Sequence, residues 1–255
     1  MKKPIIKVET SIENHSKTNN SRRRFLKMGG LAVAGSSLLL YGCSDDDDMD
    51  PVTPPDGVFD LGAGNLGILN YAYALEQLEA DFYTRVIEGN YYKALPDGEE
   101  KTLLEDVWYH EVIHREFFRT AITAVAPDDI TPDLEFDYGD LNFDDRDSVL
   151  ATALILEDTG VAAYNGAGKL IDVTAANGDV YLTLAGKIVS VEARHASAFA
   201  DLINPGTTAF ARDGILVDLG GTGLSYDRAT PPSEILAAAG GFITTEFTAN
   251  QLPTD

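Results

Sequence analysis

Cysteine occurs once in the 255 residues, so a disulfide framework cannot be built. Positive charge is also scarce: 19 Lys and Arg stand against 41 Asp and Glu, a formal charge of −22. Residues 1–42 hold eight of those basic residues and two of the acidic ones, which leaves the remainder at −28. Such a surface repels phosphate backbones and argues against a nucleic-acid partner. No apolar run makes a comfortable membrane span, because Met28 to Gly42 is short and glycine-rich. The acidic stretches lack the Asp-x-Asp-x-Asp-Gly pattern of a calcium loop. Gly62-x-Gly64-x-x-Gly67 has dinucleotide-fingerprint spacing, but no strand–helix alternation follows it, which leaves a loop leading into a helix.

The leader carries its own signals. Ser21-Arg22-Arg23-Arg24-Phe25-Leu26-Lys27 ahead of the apolar run resembles a twin-arginine export signal, with Arg22 and Arg23 as its pair. The bland alternative is a basic surface stretch before a buried helix. Cys43 follows Leu40-Tyr41-Gly42 and resembles the lipidated cysteine of a bacterial lipobox rather than a stray thiol. Ser44-Asp45-Asp46-Asp47-Asp48 is similar to the tag that directs some Gram-negative lipoproteins to the cell surface, or is an acidic spacer. The expectation is export by the twin-arginine route to a periplasmic or cell-surface lipoprotein of the outer membrane, in membrane contact through a lipid anchor.

Two pieces of the remaining chain repeat in register. Glu76, Tyr83, Glu111 and His114 recur 81 positions later as Glu157, Tyr164, Glu192 and His195, and Leu75 and Phe118 recur as Leu156 and Phe199. Each half reads Glu-x6-Tyr, a gap, then Glu-x2-His. The shared letters are mostly polar ones. Four carboxylates and two imidazoles from two equivalent halves form the ligand set of a carboxylate-bridged dinuclear centre.

Apolar periodicity predicts four helices. Leu66, Ile68, Leu69, Ala72, Leu75, Leu78, Phe82 and Val86 mark the first, with Gly89 as a stop. A second starts near Asp97, where Glu100 completes a capping-box pattern, and runs to Pro127. The repeat places the third and fourth near 147–170 and 178–203, with Asp147 or Ser148 as a cap. Short connections inside each pair predict antiparallel hairpins, and the acidic stretch from Pro127 to Asp147 predicts a solvated crossover between them. The domain reading is an export leader (1–42), an acidic, Pro-rich linker (43–64), an all-α four-helix bundle (65–204) and a loop-rich extension (205–255). In that extension a short helix near Ser233 to Ala239 and a Phe242–Phe247 segment could pack back on the bundle.

One Glu on helices one and three, with Glu-x-x-His on helices two and four, resembles the ferritin-like di-iron and di-manganese carboxylate proteins. The likeness is nearer to exported, desiccation-related members than to storage cages, given the lipobox and the loop-rich tail. The resemblance implies two iron or manganese ions, with Glu111 and Glu192 bridging and Glu76 and Glu157 terminal. His114 and His195 would bind one ion each. Tyr83 and Tyr164 could orient a ligand or relay an electron, or serve as core aromatics. Glu79, Asp81, Glu116 and Asp158 are expected to be solvated. The implied activity is that of an oxidoreductase acting on metal ions, oxygen or peroxide, of ferroxidase, peroxidase or catalase type. The alternative is a non-enzymatic module for stress protection, metal sequestration or partner binding. His110-Glu111-Val112-Ile113-His114 also matches the zinc-protease motif, but position 191 is Val and the motif leaves Glu76, Glu157, Glu192 and His195 unexplained.

Overall fold

A computed structural model describes residues 57–253 apart from residue 222. Arg22, Arg23 and Cys43, with the export and lipidation readings that rest on them, lie outside the described residues. Strand β1 (Phe59–Asp60) passes into helix α1 (Gly64–Glu88), followed by a short α2 (Asn90–Ala94) and by α3 (Glu99–Val125). Helices α4 (Arg146–Gly168) and α5 (Gly178–Ile203) come next, then strands β2 (Leu216–Asp218) and β3 (Leu224–Asp227), helix α6 (Pro232–Ala239) and strand β4 (Phe247–Thr248). α1 packs mainly on α3 and α4 on α5, and contacts of α1 with α4 and of α3 with α5 close a four-helix bundle. None of the described helices is long and apolar enough to cross a membrane.

Two helix starts differ from the sequence expectation. At α3 the residue before the helix is Gly98, and no side chain caps it. Glu100 is drawn instead into a bidentate pair with Arg146 at 2.7 and 2.9 Å, and it also accepts from the Tyr91 hydroxyl at 2.5 Å. A charge-assisted fork outcompetes a local cap. Glu99 and Glu100 still place negative charge in the first turn, which favours the helix dipole. At α4 the cap is Asp145, whose Oδ1 accepts the Ser148 N–H at 2.8 Å, while Asp147 lies within the first turn.

The crossover is less solvated than its composition suggests. Asp128, Asp129, Asp133, Glu135, Asp137 and Asp140 are exposed, but Thr131, Leu134 and Tyr138 are buried. Two amides of α1 hold the backbone. Asn70 donates to the carbonyls of Leu61 (3.1 Å) and Asp129 (2.8 Å) and accepts from the Thr131 N–H at 2.9 Å. Gln77 donates to the Pro132 carbonyl at 3.2 Å and accepts from the Leu134 N–H at 2.9 Å. Backbone groups of an irregular segment need partners once buried, and these two side chains supply them.

The tail folds back on the bundle. β4 pairs with β1 in parallel, setting Phe247 opposite Phe59, and Ile243 bridges to Phe136 of the crossover. The Thr230 N–H donates to the Ala162 carbonyl at 2.9 Å. Gly166 makes that approach possible, because a Cβ there would overlap the Thr230 backbone. Among the described residues, buried apolar side chains form two groups, one around Phe82, Tyr83 and Phe199 and the other around Leu69, Phe118 and Tyr164.

Candidate metal centre

Residues three apart share a helix face, so Glu111 and His114 on α3, and Glu192 and His195 on α5, each point to one spot. The structure brings these four together with Glu76 of α1 and Glu157 of α4. All four glutamates are 0% exposed and His195 is 4% exposed. His114 Nδ1 lies 2.9 Å from Glu192 Oε1, 3.3 Å from Glu111 Oε2 and 3.5 Å from Glu76 Oε2. His195 Nδ1 lies 3.0 Å from Glu111 Oε1, 3.1 Å from Glu157 Oε2 and 3.3 Å from Glu192 Oε2. Two groups of potential ligand atoms result: Glu76, Glu111, His114 and Glu192, and Glu111, Glu157, Glu192 and His195, each with all its atoms within 4.8 Å of one another. Glu111 and Glu192 belong to both.

Hydrogen bonding cannot account for this convergence. One Nδ1 proton serves one acceptor, whereas three carboxylates crowd each imidazole. Glu76 Oε2, Glu111 Oε1 and both Glu192 oxygens are buried without an aligned donor among the described residues, the short approach of His114 to Glu192 included. Oxygen-rich pockets with one imidazole apiece suit divalent first-row cations, and two such ions would balance four carboxylate charges.

In the absence of any cation, burial and the crowding of charges shift the protonation of the cluster. Burial pushes the Glu157 carboxyl up to about 7 although His195 opposes the rise. Burial and the neighbouring Glu192 raise Glu111 as well. Burial would also lift Glu192, but the flanking imidazoles His114 and His195 hold it down to about 2. For His195, burial disfavours the charged ring, yet Glu157 and the other carboxylates drive it up to about 12. His114 is raised for the same reason.

The tyrosines take a different place from the one their spacing suggests. Tyr83 donates to Glu157 and Tyr164 donates to Glu76, so each phenol serves the glutamate of the opposite half. The reciprocity follows from the antiparallel run of α1 against α4. Burial and these carboxylates raise both phenols, which therefore stay neutral donors.

Two residues gain roles that the sequence reading missed. Glu79 is 4% exposed, not solvated, and its charged form is disfavoured by burial and by the carboxylates of Glu111, Glu192, Glu157 and Glu76. Its counterpart in the repeat is Gly160, where a Cβ would lie 3.2 Å from Glu79 Oε1. The missing side chain of one half makes room for the extra carboxylate of the other. That mismatch at the 81-residue offset was the available signal. Asp158 is also largely buried, paired with Arg212, whereas Asp81 (32% side-chain exposure) and Glu116 (46%) lie nearer the surface.

His110 is the second. Its Nδ1 lies 2.8 Å from His195 Nε2, with the rings stacked at 5.1 Å between centroids. It backs a candidate ligand from outside, in the way an outer hydrogen bond fixes the orientation of a ligating imidazole. Among the described residues, neither group able to hold a metal includes it.

The family model for the ferritin-like domain matches residues 64–205. The chain belongs to the ferritin-like domain family. That match spans the four bundle helices of this ferritin-like chain and all six repeated ligand candidates. No curated protein matches the chain. Within the ferritin-like bundle, the buried carboxylate–imidazole cluster is compatible with a metal site.

Proposed function

We propose that this ferritin-like domain holds two iron or manganese ions and is an oxidoreductase acting on metal ions, dioxygen or peroxide. One observation carries the reading: Glu111 and Glu192 are shared by two buried groups that have one imidazole each. Glu76 and His114 would complete one ion's ligands, and Glu157 and His195 the other's. Two such ions, when bound, supply two one-electron changes, which match reduction of dioxygen and two protons to hydrogen peroxide, or of peroxide and two protons to two waters. The protein's part is orientation and charge. Tyr83 and Tyr164 fix the outer glutamates by hydrogen bonds, and His110 steadies His195. Beside the cluster, burial and the neighbouring carboxylates disfavour the charged form of Glu79.

Export by the twin-arginine route and anchoring through Cys43 complete the proposal, supported by Arg22-Arg23 ahead of the apolar run and by the place of the thiol at its end. Twin-arginine transport moves folded proteins, so the metal could be loaded before export. The test is turnover: metal-loaded protein should consume peroxide or oxidise ferrous iron faster than Glu111→Ala. Equal rates with the parent fully loaded would favour a sequestering or stress-protection module.

A further inference from the structure

The repeat makes the cluster two-fold in its six ligand candidates, and two positions beside it break that symmetry. Glu79 stands where the other half has Gly160, and His110, one turn before His114, stands where the other half has Val191. The carboxylates that act most strongly on Glu79 are the shared ones, Glu111 and Glu192, so it favours neither ion. His110 acts on one side only.

Both candidate imidazoles turn Nδ1 to the carboxylates, His114 at 2.9 to 3.5 Å and His195 at 3.0 to 3.3 Å. They differ at their backs. His195 Nε2 lies 2.8 Å from His110 Nδ1, and the two ring planes are 18° apart. When His195 Nδ1 gives its lone pair to a cation, the ring proton is on Nε2 and donates to His110. That bond fixes the tautomer and the ring orientation, and it raises the basicity of Nδ1. Among the described residues, the hydrogen-bond and ion-pair partners of His114 are the carboxylates of Glu76, Glu111 and Glu192. Val191, at the matching position, has no polar side-chain atom to offer it. The His114 side chain is also the more open, 12% exposed against 5% for His195.

We propose, resting on the two-ion reading, that His110 makes the two ion sites unequal. As a positioning residue behind His195, it makes the ion held by Glu157 and His195 the tighter of the two, filled first. The ion held by Glu76 and His114 is the exchangeable one. Outer partners of a ligating imidazole are worth about 10–100-fold in metal affinity, and His195 has a side chain in that place. His110 belongs to neither ligand group and is exposed, so its replacement leaves both ligand sets and the core intact.

Cobalt(II), a divalent first-row cation, is the probe, titrated into the chelator-treated full chain by calorimetry and visible absorption. Two steps of one ion each are expected. His110→Ala, checked for parental helix content, should weaken the tighter step about 10–100-fold and leave the other within about twofold. His110→Gln, whose side-chain carbonyl can still accept from His195 Nε2–H, should keep most of the parental affinity. A general loosening of the bundle would move both steps. Two ions bound in indistinguishable steps, an effect of His110→Ala on both steps or on neither, or a glutamine variant as weak as the alanine one would overturn the inference while leaving the two-ion reading in place. Fewer than two ions bound by the parent would overturn that reading and the inference with it.

Discussion

The metal-free protein should lose stability as pH rises from mildly acid to neutral. Glu157 holds its proton to about 7 when folded, against an ordinary value of 4.5. Between those values the folded state binds more protons than the unfolded one, so stability falls with rising pH. The difference corresponds to about 3 kcal/mol lost by pH 8. For a domain of this size that is roughly 6–12 °C in Tm. Glu79 and Glu111, also raised, act in the same direction. His195, raised to about 12, contributes stability fully present below 6.5 and lost progressively above it. Glu192, lowered to about 2, contributes stability present above 4.5 and lost as pH falls toward 2. Bound cations replace these protons, so the gap in Tm between loaded and chelator-treated protein should widen with pH. The assay is calorimetry from pH 4.5 to 8, with Glu157→Gln as the control that flattens the slope. A metal-free Tm that is level or rises over that range, or a slope unchanged in Glu157→Gln, would refute the reasoning.

Tyr83→Phe removes the donor to Glu157 and should cost about 1–3 kcal/mol in denaturant titrations, with metal content at the parental level; loss of metal would show that this hydrogen bond is needed to hold Glu157 as a ligand. Cys43→Ala should release a soluble protein or leave an uncleaved precursor, and Arg22→Lys with Arg23→Lys should block export, both read by fractionation and immunoblot. A Cys43→Ala protein that remains in the membrane fraction with its leader removed would refute lipidation.

Much of the bundle was legible because helical periodicity and the 81-residue offset are local or translational signals. Gly89 ends α1, and α5 spans Gly178–Ile203 as the repeat predicts. What escaped was set by tertiary partners. Arg146, 46 residues away, claims Glu100 and removes the expected cap. Asn70 and Gln77 look like ordinary polar helix residues, yet they hold the crossover. The six ligand candidates were readable because two copies showed them. Glu79 and His110 were not, because each acts where the halves differ: Gly160 and Val191 occupy the matching positions. The reciprocal tyrosine bonds required knowing that α1 and α4 run antiparallel.

The most direct test is the metal content of protein purified after native export, alongside Glu111→Ala and Glu192→Ala. Two iron or manganese ions per chain are expected, with both lost in either variant, because each glutamate belongs to both groups. One zinc ion per chain, dependent on His110 and His114 and indifferent to Glu192→Ala, would contradict it.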